Sequence, residues 1–250
     1  ADSGAARCAP ARTQSLSWLI RRAAPRAGQP RACRAFARRI GFGCRIRNAA
    51  MKLLYAGTSP FVRKVVVVLH ETGQKDDVAL VQVAAEPGNS DPALAAANPL
   101  GKIPALVRED RPTLYDSRVI CRFLDARVAA GLYPADGWDT LTLEATADGI
   151  MEAAVLMVYE ARFRPETLRS ADWVEAQWEK VSRALDVLNT RWMAHLSGPL
   201  DMGQIAIGCA LGYLDFRHDG RGWRSGHDGL AAWYKTFATR PSMQATVPSA

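Results

Sequence analysis

The apolar positions that follow residue 50 fall into two stretches of different period. From Met51 to about Ala130, short extended runs alternate with helical ones. Lys52-Leu53-Leu54-Tyr55-Ala56 reads as a strand, Phe61 to Glu71 as a helix, Val78 to Val83 as a second strand, and Asp91 to Ala97 as a short helix after a Gly-Asn-Ser-Asp turn. Ile103 to Val107 with Thr113 to Tyr115 reads as a hairpin, and Ser117 to Ala130 as a helix with Val119, Ile120, Phe123 and Leu124 inward. The valines from Val65 to Val68 favour a strand by propensity, but Ser59-Pro60 in front and Gly73 behind make the segment a buried helix. This order predicts an α/β unit with a mixed sheet.

After Gly131-Leu132-Tyr133-Pro134 the strand signal disappears. Leu141 to Arg164, Asp172 to His195, Gln204 to Arg217 and Leu230 to Ala238 carry helical spacing, with Val174, Trp178, Val181, Leu185 and Leu188 along one face. The expected organisation is an α/β domain over 51–130, a linker over 131–140 and an all-helical domain over 141–250. Asp201 and Gln204, three apart, predict a capping box for the third of these helices, a folding role. Gly220 to Gly229 lacks a phosphate-loop order and reads as an interhelical loop.

Charge separates residues 1–50 from the rest. They hold 11 arginines, no lysine and one acidic residue, about +10, so the chain's net +7 leaves −3 for residues 51–250. The basic balance is therefore no argument for a nucleic-acid groove. An Arg-rich, acid-poor segment fits a mitochondrial transit peptide, a nucleic-acid arm, or translated upstream sequence with Met51 as the start. The last is the preferred expectation, and the segment is expected to be disordered. Its longest apolar run, Leu16-Ser17-Trp18-Leu19-Ile20, is far short of a membrane span. Of five cysteines, Cys8, Cys33 and Cys44 lie there; Cys121 and Cys209 are too few and too distant to suggest a disulfide scaffold or metal site. The four histidines show no metal spacing, so no metal, membrane or nucleic-acid partner is expected, and a reducing cytoplasm is the natural compartment.

Three strings carry the candidate chemistry: Thr58-Ser59-Pro60-Phe61, Asn98-Pro99-Leu100-Gly101-Lys102-Ile103-Pro104, and Leu114-Tyr115-Asp116-Ser117. Alone, each has a structural explanation. Ser59 and Asp116-Ser117 suit helix caps, Pro104 a strand entry, and Lys102 a solvated surface. In this order and spacing, however, residues 51–250 resemble a cytosolic glutathione transferase of a bacterial, serine-type, tau/omega-like kind.

The resemblance implies a thioredoxin-like domain followed by an all-α bundle, glutathione as co-substrate, a small-molecule electrophile, and a homodimer. Ser59, with Thr58 as rival donor, would donate to the glutathione sulfur; omega-like members have cysteine in the same Pro-Phe context, and serine here favours thiolate activation over a mixed disulfide. Phe61, Lys102, Ile103, Pro104, Asp116 and Ser117 would complete the glutathione site. Pro104 would be cis, Ile103 would pair its backbone with the peptide, Asp116 would answer the γ-glutamyl ammonium, and Ser117 with the helix amides would hold the carboxylate.

Lowering a thiol pKa from about 8.5 by two units takes about 2.7 kcal/mol. A hydrogen bond to the charged sulfur supplies about 1.5–3 kcal/mol and a helix N-terminus about 0.3–1, so the two suffice. The electrophile pocket is expected between the sheet edge and the first bundle helices, at Met151, Val155, Tyr159, Arg162 and Phe216. Two other functions remain open: a non-catalytic interaction or regulatory module, and a glutathione-dependent peroxidase, dehalogenase or isomerase.

Overall fold

The computed structural model describes residues 51–248; the Arg-rich segment and the expectations attached to it lie outside the described residues. The first half runs β1 (Met51–Tyr55), α1 (Pro60–Glu71), β2 (Val78–Gln82), β3 (Ala85–Glu86), β4 (Asn89–Ser90), α2 (Pro92–Ala97), β5 (Ala105–Arg108), β6 (Arg111–Leu114) and α3 (Ser117–Val128). Its main sheet has the order β2-β1-β5-β6. β1 pairs parallel with β2 and antiparallel with β5, which pairs antiparallel with β6.

Alternation along β1 assigns the sheet's two faces. Leu53 joins the large core with Val65 and Val68 of α1 and Ile120 and Leu124 of α3, all buried. Leu54 turns the other way, into a small cluster with Val83, Leu94 of α2 and Ala105. The valine run is helical, as its flanks predict. Pro60 opens α1, Ser59 caps it, and Leu69, Val67 and Val62 are buried with the rest.

The second half contains α4 (Trp138–Phe163), α5 (Ala171–Arg191), α6 (Met193–Leu196), α7 (Met202–His218), α8 (Asp228–Phe237) and α9 (Pro241–Gln244). The last strand ends at Leu114, and the large core runs without a break from β1 into α7, the most deeply buried helix. Among the described residues no helix is long and apolar enough to cross a membrane.

Several local expectations are corrected. Val119 is 44% exposed, because it lies off the Ile120–Leu124 face of α3. The Gly-Asn-Ser-Asp stretch is part of a small hairpin, with Ala85 opposite Ser90 and Glu86 opposite Asn89. Asp172 to His195 is not one helix: α5 stops at Arg191, and Trp192 passes the chain to the short α6.

The capping box is half of one. Asp201 Oδ1 accepts from the Gln204 amide at 3.0 Å, while the Gln204 side-chain amide donates to the His195, Gly198 and Pro199 carbonyls. Asp201 Oδ2 also accepts from the Thr140 hydroxyl at 2.6 Å and contacts His195 Nε2 at 2.7 Å. The pair fixes the entry to α7 by gathering three chain segments, more than a local cap does.

Candidate functional site

A cleft of about 680 Å³ opens at the carboxyl edge of β1. The α1 N-terminus, the loop before β5, the α3 N-terminus, α4 and the end of α7 supply its walls. Such an edge is where open α/β sheets leave room for a ligand.

Ser59 follows β1, and its backbone N–H closes the turn by donating to the Ala56 carbonyl at 3.1 Å. Its hydroxyl oxygen accepts from the Val62 amide at 3.4 Å, which leaves the hydroxyl proton to donate into the cleft. Thr58 and Phe61 line the same wall.

The second string is held by Asn98, which is buried. Its side-chain amide donates to the Lys102 carbonyl at 2.7 Å, and its side-chain oxygen accepts from the Leu100 amide at 3.1 Å. Gly101 closes the turn at φ +60, and a Cβ there would meet the Ser90 hydroxyl at 2.8 Å, so only glycine fits. This brings Lys102, Ile103 and Pro104 to the cleft, with the Ile103-Pro104 bond cis.

Asp116 caps α3 and accepts from the Arg118 amide at 3.0 Å, while Ser117, the first helical residue, is buried at the cleft wall. The Arg118 guanidinium lies 2.9 Å from Asp116 Oδ2 and 3.6 Å from Asp148 Oδ2 on α4. Loss of solvent pushes the Asp116 carboxyl up, but hydrogen bonds and charge from Arg118 outweigh it and hold the group below the usual carboxylate range. Asp116 is therefore an anion that still faces solvent, able to meet an ammonium group.

Behind this wall lies an ion cluster that no sequence motif marks. Lys64 of α1 is fully buried, with Nζ 2.7 Å from Asp148 Oδ1 and 3.1 Å from Glu144 Oε1. The Tyr133 hydroxyl reaches both Glu144 oxygens at 3.1 Å. Burial opposes the Lys64 charge, but Asp148 and Glu144 more than compensate and raise its pKa. Burial pushes the Asp148 carboxyl up, and Lys64 pulls it down only in part. The available signal was Arg63-Lys64 inside an apolar helix: two cations between Val62 and Val65 require anions from elsewhere in the fold.

Known proteins can be set beside this geometry. Residues 58–127 match the family description Glutathione S-transferase, N-terminal domain, and residues 171–236 match Glutathione S-transferase, C-terminal domain. The uncharacterized GST-like protein YibF of Escherichia coli (strain K12) is 36% identical over 204 residues, 79% of this chain and 98% of that protein. The chain belongs to the glutathione transferase family. A glutathione transferase family member from Pseudomonas fluorescens Pf-5, solved with bound glutathione, is 47% identical, with a TM-score of 0.78 over 80% of this chain and 100% of that one. A glutathione S-transferase from Methylobacillus flagellatus KT, solved with glutathione bound, is 39% identical, with a TM-score of 0.72 over 80% of this chain and 100% of that one. The thioredoxin-like domain and helical domain of the transferase fold account for the element order described above.

On the helical wall of this transferase cleft, Val155, Tyr159 and Arg162 take lining positions. Two other expected residues do not. Met151 is fully buried in the core, because the face of α4 one turn before Val155 is covered by other helices. Phe216 lines a separate hollow with Arg63, Asp215 and Arg224, because an offset of about 60° from Tyr213 round α7 turns it toward α1 and α8. The wall is completed by Glu86, Glu152, Leu156, Phe163, Tyr213 and Arg217, none of them singled out by motif. They come from three distant stretches of chain and share no local pattern. Among the described residues no group of three or more His, Cys, Asp or Glu is placed to hold a metal ion.

Proposed function

We propose that this chain binds reduced glutathione along the α/β wall of the cleft and activates its thiol at Ser59 for attack on a small-molecule electrophile held by α4 and α7. One observation carries the reading. Thr58, Ser59, Phe61, Lys102, Ile103, Pro104, Asp116 and Ser117, drawn from three separated strings, all face one cavity large enough for a tripeptide and a small second substrate.

In this reading residues 51–130 serve glutathione and residues 141–250 serve the electrophile. Asp116 meets the γ-glutamyl ammonium. The Ser117 hydroxyl and the first amides of α3 hold the adjacent carboxylate, at a helix end whose dipole favours anions. Ile103 offers its backbone to the cysteinyl unit in the manner of an added strand, and Lys102 adds positive charge near a glutathione carboxylate. The Ser59 hydroxyl donates to the sulfur at the N-terminus of α1, so the thiolate is stabilised by a directed hydrogen bond and by the helix end together. The sulfur then attacks an electrophilic carbon, the leaving group departs with its bonding pair, and the thiol proton passes to solvent. Positioning two substrates in one cleft supplies much of the acceleration. The proposal takes the working form to be a cytoplasmic homodimer engaged in detoxification.

The test is calorimetric titration of the full chain with reduced glutathione, repeated on Asp116→Asn, which keeps a capping side chain and removes the charge. Micromolar to low millimolar binding that Asp116→Asn weakens supports the site. A folded parent that does not bind glutathione makes an interaction module the better reading. Comparing turnover of a chlorinated aromatic, an organic hydroperoxide and a haloacid then separates transferase from peroxidase and dehalogenase action.

A further inference from the structure

α4 and α7 run side by side in the same direction, since Leu143 packs at Gly203 and the His218 ring contacts the Ala154 carbonyl at 2.9 Å. Asp148 and Glu152 stand on the part of α4 nearer the α3 N-terminus. Tyr159 stands seven residues beyond Glu152, about 10 Å along the helix. At that far end α7 contributes Tyr213 and Arg217.

Three arginines line the cleft, and two are engaged. Arg118 is held by Asp116 and Asp148, and Arg162 by Glu86. Among the described residues Arg217 has no carboxylate partner. Its guanidinium lies on the Phe216 ring, 4.1 Å from the centroid, and its charge also reaches the Tyr213 hydroxyl one turn back on α7. Tyr213 beside it is 4% exposed; burial raises its hydroxyl pKa to about 12, so it remains a proton donor at neutral pH. A planar guanidinium edge and a phenol that stays protonated are both donors, and together they match a carboxylate.

We infer that Arg217, with the Tyr213 hydroxyl, forms the recognition end of the electrophile site and selects electrophiles that carry a carboxylate. The inference rests on the proposed glutathione reading and adds its substrate class. The carboxylate takes no part in bond making. It docks at Arg217, so that the carbon bearing the leaving group faces the sulfur held at Ser59.

Two glutathione thioethers of equal size test this without turnover: S-(4-carboxybenzyl)glutathione and S-(4-carbamoylbenzyl)glutathione, titrated calorimetrically against the full chain. The parent is expected to bind the carboxylate conjugate about tenfold or more tightly than the amide. Arg217→Gln is expected to erase that ratio by weakening the carboxylate conjugate alone, and Arg217→Lys to recover part of it. Equal affinities in the parent, or a preference that survives Arg217→Gln, overturn the assignment of Arg217 while leaving the glutathione site standing. A parent that binds neither conjugate nor glutathione overturns the glutathione reading and this one with it.

Discussion

Lys64 Nζ lies 2.7 Å from Asp148 Oδ1, and this buried ion pair ties the first helix of the α/β half to the first long helix of the bundle. The same Asp148 carboxylate reaches Arg118, which holds Asp116 at the α/β wall of the cleft. Core and site are thus joined by one run of charges.

Removing the cation alone should be costly. Lys64→Met leaves buried Glu144 without a cation and Asp148 with only the more distant Arg118, an arrangement that destabilises by about 3–5 kcal/mol. Adding Asp148→Asn should recover part of the loss, because the remaining polar group no longer needs a counter-charge. Urea unfolding of the two variants checks this; a loss below about 1 kcal/mol for Lys64→Met would show that the cluster is not a stability element.

The α4–α7 contact depends on a glycine. A Cβ at Gly203 would stand 2.8 Å from the Leu143 Cβ and 3.2 Å from Asp201 Oδ1. Neither atom is the end of a long flexible chain, so the helices must part. Gly203→Ala should therefore cost about 1–3 kcal/mol by overpacking, despite the better helix propensity of alanine. Gly149 on α4 is exposed with nothing near its Cβ direction, and Gly149→Ala should stabilise by up to about 1 kcal/mol. Thermal melts that move both variants the same way would contradict the packing account.

Acid should weaken the tie between α1 and the start of α9. Arg240 holds Glu71 through Nε at 2.9 Å and Nη2 at 2.8 Å, and Ser242 donates to the same carboxylate. The Arg240 hydrogen bonds outweigh burial and lower the Glu71 pKa from its usual value near 4.5. A group whose folded pKa is depressed stabilises above its unfolded pKa and loses that contribution as pH falls through its folded value. The stability difference between the parent and Glu71→Gln should thus be constant at neutral pH and shrink once pH drops below about 4.5. A difference that grows on acidification would show that the ionised Glu71 carboxylate does not stabilise the fold.

How much the sequence revealed depended on whether the controlling interactions were local. Ser59-Pro60 and Gly73 bracket a helix within one segment, and Asp116 caps α3 from its own chain neighbourhood, so both were legible. The three strings also pointed to residues that do share a cleft. The helical wall was not legible in the same way. Met151 and Val155 are one turn apart on α4, and only the packing of the bundle decides that the first is core and the second is lining. Arg217 looked like any helix-terminal cation until the fold placed it beside Tyr213. Lys64 gave a signal that could have been used, since a lysine between valines in a buried helix implies partners, though not which ones.

Ser59 has two tasks at one atom, and they can be separated. Its oxygen accepts from the Val62 amide as a helix cap, and its proton is the proposed donor to the glutathione sulfur. Ser59→Ala loses both. The cap contributes about 1 kcal/mol to stability, whereas the donor acts on the thiolate and should leave the sulfur with a pKa about one to two units higher. With glutathione saturating and a parent pKa of about 6.5, that shift lowers the thiolate fraction at neutral pH, and with it kcat/KM for the electrophile, by about 3–25-fold, while at alkaline pH the deficit should narrow as the thiol ionises unaided. Ser59→Asp would restore a cap without a donor, so it should recover stability and not activity. Thr58→Val removes the rival hydroxyl without touching the cap, and it should leave the apparent thiol pKa where it is in the parent. Ultraviolet titration of thiolate in the glutathione complex reads the pKa directly, and thermal melts read the cap. An unshifted pKa in Ser59→Ala together with a raised one in Thr58→Val would move the donor to Thr58.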